Sequence, residues 1–104
     1  MVEKKAVYPD RIRRIPEHFS WLDHALVRKN RIVGISHSSL AFYLFLVTVS
    51  DAEGLSYYSD SSIERYLDLD SKMLDDCRRE LANRGLVAYR SPFYQVLPVS
   101  GGAR

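Results

Sequence analysis

The densest apolar stretch of the chain runs from Leu40 to Val49, ten residues interrupted only by Thr48. Ser36 and Ser38 stand before it as N-cap residues and Asp51 to Gly54 ends it, so the pattern predicts a helix over roughly 38–51. Such a helix is apolar on nearly every side and has to be buried by more than one neighbour. Leu44 and Val47 are expected to face Ile63, Leu74 and Leu81, while Phe42, Phe45 and Val49 offer further apolar surface for a two-fold homodimer. The run is about half of what a membrane-crossing helix requires, so a core helix and no membrane partner are expected.

Downstream, Leu55 to Ser59 sets two tyrosines among polar residues and predicts a short strand. Asp60 or Ser61 then caps a second helix, with Ile63, Tyr66 and Leu67 inward. Asp68 to Ser71 forms a turn, and Met73, Leu74, Cys77 and Leu81 recur at helical spacing across a third helix, Lys72 to Arg84. Gly85 sits where a left-handed C-cap residue belongs. Leu86 to Tyr89 and Phe93 to Leu97 read as a hairpin closed by Arg90-Ser91-Pro92. Tyr57, Tyr58, Tyr89 and Tyr94 all fall on these strands, where a half-buried pleated face suits tyrosine. Upstream, Pro9 and Pro16 break any long helix, and a short one is expected around Trp21 to Arg28 with Trp21, Leu22, Ala25 and Leu26 on one side. Trp21, Phe19 and Leu22 are expected to staple this segment to the core.

The resulting fold class is α+β, mainly helical. Residues 1–34 form a basic N-terminal arm with a short helix, residues 35–98 the folded domain, and residues 99–104 a flexible tail. Charge supports that division. The first 34 residues hold eight basic and four acidic side chains, whereas residues 51–80 hold nine acidic and four basic ones. The net charge of the whole chain, +2, is too small to announce a nucleic-acid binder by itself.

Catalytic chemistry finds little foothold. His18, His24 and His37 lack metal-ligand spacing, the single Cys77 belongs to the inward stripe of the third helix, and no Gly-rich phosphate loop or Gly-x-Ser-x-Gly setting occurs. A non-enzymatic protein without cofactor or metal is expected. One cysteine and no apolar leader fit a cytoplasmic setting without a signal peptide.

The stretch Ser59-Asp60-Ser61-Ser62-Ile63-Glu64-Arg65-Tyr66-Leu67-Asp68-Leu69-Asp70 looks like the helix and turn that open a helix-turn-helix. Leu74-x-x-Cys77-x-x-x-Leu81-x-x-x-Gly85-Leu86-Val87 is similar to a recognition helix running into a wing. Over residues 36–97 the chain thus resembles the winged helix-turn-helix domains of bacterial regulators of the GntR and MarR kind. The resemblance implies three core helices, a small sheet with a short wing, and binding of double-stranded DNA with the third helix in the major groove. Its site residues would be Ser71, Lys72, Asp75, Arg78 and Arg79 on that helix and Arg90 on the wing, with Arg28, Lys29 and Arg31 clamping the backbone. Asp75 and Asp76 stand where such regulators often present arginines; they favour the helix dipole and can pair with Arg79. The functions in view are transcription regulation, or an accessory role in replication or on a mobile element. The alternative is a protein-interaction adaptor that docks a protein partner and does not bind DNA.

Overall fold

The computed structural model describes residues 3–99. They form four helices and a three-stranded antiparallel sheet: α1 (Ala25–Arg28), α2 (His37–Val49), β1 (Leu55–Ser56), α3 (Asp60–Leu67), α4 (Ser71–Asn83), β2 (Val87–Arg90) and β3 (Phe93–Val96). The sheet order is β1-β3-β2, with Ser56 opposite Tyr94 on one side of the central strand and Tyr89 opposite Tyr94 on the other. Gly54 leads into β1 with φ +84°, and its carbonyl accepts from Val96 N–H at 2.8 Å. A Cβ there would lie 2.7 Å from the Val96 carbonyl oxygen, so only glycine fits this approach.

Each of the three long helices begins on a side-chain cap. Ser36 Oγ accepts from Ser39 N–H, Ser59 Oγ from Ser62 N–H and Asp70 Oδ1 from Met73 N–H. The cap of α3 therefore falls one residue before Asp60 and two before Ser61, the positions expected, and that of α4 lies inside the Asp68 to Ser71 turn. Gly85, at φ +73°, closes α4 as expected: its own N–H reaches Ala82 carbonyl and Leu86 N–H reaches Leu81 carbonyl, which turns the chain into β2.

The core joins Phe42, Leu46 and Val47 of α2, Ile63 of α3, Leu74, Cys77 and Leu81 of α4, Leu86 just before β2, and Val87 and Tyr94 of the sheet. Phe42 packs edge-on against Tyr94 at 5.5 Å between ring centres. Two expectations about α2 fail together. Leu44 is 55% exposed rather than buried, and Phe42, expected to be free for a dimer, is fully buried. Phe45 and Val49 are half-buried, Phe45 beneath Tyr58 and Tyr66. A helix apolar all round carries no periodic signal to fix its rotation. Here the phase is set by a polar residue: Ser39 is fully buried on the inner stripe with Phe42, Tyr43, Leu46 and Val47, and its hydroxyl donates to Glu80 of α4.

Other differences are local. Tyr66 turns out to solvent, and the strand expected through Ser59 stops at Ser56. Met73, expected inward, is 41% exposed. The N-terminal helix is a single turn, started by Asp23 Oδ1 accepting from Ala25 N–H and ended before Asn30, whose φ is +56°. Ala25 and Leu26 join the core, but Trp21, Phe19 and Leu22 stay exposed, so they do not staple the arm as expected. Val99, the first residue of the expected tail, is buried; residues 100–104 lie outside the described residues. No helix among the described residues is long and apolar enough to cross a membrane.

Candidate nucleic-acid interface

α4 buries Leu74, Cys77 and Leu81 against α2 and the sheet, so Ser71, Lys72, Asp75, Asp76 and Arg79 necessarily point away from the core. This outer face neutralises itself. Lys72 Nζ donates to Asp76 at 3.1 Å and Arg79 to the same carboxylate at 3.3 Å. The hydrogen-bonded Lys72 ammonium, helped by Arg79, holds the Asp76 carboxyl below the usual carboxylate range. All three groups remain open to water, so an arriving anion can compete for the two cations.

Arg78, expected as a DNA contact, is engaged within the fold. Only 14% of its side chain is exposed. Its guanidinium donates to Asp60 at 3.0 Å, to Asp75 at 2.7 Å and to the Tyr94 hydroxyl, and it lies 4.5 Å over the Tyr89 ring. Burial works against its charge, but the hydrogen bonds to Asp60 and Tyr94 outweigh burial and raise its pKa. Burial in turn pushes the Tyr94 phenol up to about 12, against the pull of Arg78. This side chain ties α3, α4 and β3 together. Asp75, though largely exposed, is the partner that holds it.

Arg31 is likewise spoken for. Its guanidinium donates to Val99 carbonyl at 2.7 Å and to Arg84 carbonyl at 3.2 Å, where it also meets the negative end of α4. Arg84 answers by donating to the carbonyls of Arg31 and Val33 at 3.0 and 2.7 Å. Arg31, one of the three residues of the expected backbone clamp, therefore fastens the N-terminal segment to the end of α4. Arg28 and Lys29 stay exposed at the end of α1, Arg28 beside Leu40 and Leu44.

At the far end of the sheet, Arg90 is exposed opposite Phe93 in the hairpin. Tyr57 packs 5.6 Å from Phe93, so the outer face of this short hairpin sets two exposed rings beside a cation. Glu80 is a contributor that spacing alone did not reveal. It accepts from Ser39 at 2.5 Å and from Ser36 at 2.8 Å, and these hydroxyls hold its carboxyl below its ordinary value. Its signal in the sequence is faint: a glutamate on the flank of an inward stripe, facing two serines one helix away.

The structure therefore gathers Lys72, Asp76 and Arg79 on one exposed face, gathers Asp60, Asp75 and Arg78 in a half-buried clamp, and sets Arg90 on the hairpin apart from Arg28 and Lys29 at the end of α1. No family model, curated protein or solved structure matches the chain.

Proposed function

We propose that the chain is a winged helix-turn-helix protein that binds double-stranded DNA, as a transcription regulator or as an accessory factor in replication or on a mobile element. In this reading α3 and α4 are the helix-turn-helix, α4 enters the major groove and the β2–β3 hairpin is a short wing. The observation that carries the reading is the outer face of α4, where, among the described residues, Lys72 and Arg79 pair with the exposed Asp76 carboxylate alone. Phosphate oxygens can take over that role, and Arg79 can then reach a base edge. Arg90 with the Tyr57–Phe93 pair flanks the groove, and Lys29 with Arg28 adds phosphate contacts. Arg78 and Arg31 contribute by holding the scaffold.

The test is an electrophoretic shift on random-sequence duplex at several salt concentrations. Binding that weakens steeply with salt is expected, because each phosphate contact releases a counterion. Lys29→Ala should weaken binding to every sequence and lower the salt slope by about one unit. If the folded protein does not shift duplex at low salt, the adaptor reading replaces this one, and the acidic side of α3 and α4 becomes the surface to test against basic partners.

A further inference from the structure

The three-stranded sheet turns one face to the core and the other to water. Tyr94, with Ser56 and Tyr89 opposite it, belongs to the inner face, so strand alternation puts Leu55, Tyr57, Ala88, Arg90, Phe93 and Gln95 on the outer one. Tyr57, the next residue after β1, comes level with Phe93, and Arg90 stands opposite Phe93 on the other side. Tyr57, Phe93 and Arg90 thus make one row across the sheet, about 10 Å from end to end.

A water-facing sheet surface is normally polar. In this row Tyr57 is 66% and Phe93 52% exposed, and their rings, 5.6 Å apart, cover each other only in part. Cross-strand packing accounts for that contact and leaves the solvent sides of both rings unused. The inner face of the same hairpin carries the same ingredients with the opposite outcome. There the Tyr89 and Tyr94 rings lie 4.5 Å apart with Arg78 over Tyr89, but its guanidinium is held by Asp60, Asp75 and the Tyr94 hydroxyl. Outside, the Arg90 guanidinium has no such partner among the described residues, and none of the six outer residues is acidic. The row therefore complements a ligand that joins a flat ring to an anion.

An unpaired nucleotide carries both in one unit. A paired base keeps its faces inside the duplex stack, and an apolar protein surface would cover the rings but strand the guanidinium. We propose that the outer face of the sheet is a stacking site for single-stranded nucleic acid, with the Tyr57 and Phe93 rings taking bases and Arg90 the adjoining phosphate. This goes beyond the duplex reading and does not depend on it, because the row uses no group of α4.

Fluorescence anisotropy of the full chain on labelled oligothymidylate and oligouridylate at low salt tests it, the two arms separating DNA from RNA as the source of the strand. Salt-sensitive binding to at least one is expected. Tyr57→Leu and Phe93→Leu keep apolar bulk on the sheet but remove the flat ring, so each should weaken binding about tenfold with unchanged circular dichroism, whereas Tyr57→Phe should preserve it. Arg90→Ala should weaken binding and lower the salt slope by about 0.7. Binding of neither strand overturns the proposal and leaves the row to a protein partner that brings a carboxylate; so does binding that both leucine variants leave unchanged. Either failure leaves the α4 reading standing if the same protein still shifts duplex. Ring-dependent single-strand binding by a protein that does not shift duplex upholds the row and removes the α4 reading.

Discussion

The outer faces of α2 and α4 belong to helices of equal length that pack against each other, yet they solve opposite problems. α4 exposes charge and balances it locally, with Lys72, Asp76 and Arg79 pairing within the helix. α2 exposes apolar side chains and balances nothing, because Leu44 and its neighbours have no covering element in the single copy. A charged face that is already neutral is stable alone and can exchange its counter-ion. An apolar face improves only by being covered. The difference lies in what each surface would gain from contact: an exchanged counter-ion on α4, cover from water on α2.

The largest expected effect comes from crossing between inner and outer faces. Leu81→Ala should cost on the order of 2 to 5 kcal/mol in denaturant melts, since Leu81 is fully buried. Leu44→Ala should cost the single copy less than about 0.5 kcal/mol, because its side chain is already half in water. Equal losses at the two positions would erase the distinction between the faces.

Next in size is the clamp. Arg78→Ala should destabilise by about 1 to 3 kcal/mol, because it leaves the Tyr94 hydroxyl without its donor in a buried setting and releases Asp60 and Asp75. For the fraction that remains folded, duplex affinity should stay within about twofold. A large affinity loss at full stability would return Arg78 to the interface.

The link between α2 and α4 gives a pH signature. Glu80 has a depressed pKa in the folded chain, so its contribution is complete above the ordinary glutamate range and is lost as the pH falls below about 4. Glu80→Gln should cost on the order of 1 kcal/mol at neutral pH and flatten part of the acid limb of the stability curve. An unchanged acid limb would remove Glu80 from the set of groups that fix the rotation of α2. Smallest of all, Asp76→Asn should leave the melting midpoint unchanged within error, since its pairs are exposed and local.

How much of this was legible in the sequence follows from the range of each interaction. Helix ends and the drop from α4 into β2 could be placed because caps and Gly85 act within a few residues. The Asp76–Arg79 pair was also readable, as a three-residue spacing on one helix. The rotation of α2 was not, because its apolar residues surround the helix and the deciding contact, Ser39 with Glu80, spans 41 positions. The intramolecular partners of Arg78 and Arg31 were hidden for the same reason. Their partners stand 16 to 18 and 53 to 68 residues away among the cross-element contacts, and an arginine that fastens a core is indistinguishable in sequence from one that awaits a phosphate. Candidate cations were thus easy to name and hard to sort.

The central claim is that the outer face of α4 meets DNA by exchanging its internal carboxylate for phosphate. Asp76→Asn tests it most directly, because among the described residues Asp76 pairs only with Lys72 and Arg79, whereas Asp75 holds the Arg78 clamp. Measured by fluorescence anisotropy on random-sequence duplex at low salt, the substitution should tighten binding by about three- to tenfold, and the gain should shrink as salt is raised. Unchanged or weaker binding by a protein of unchanged stability would contradict the claim.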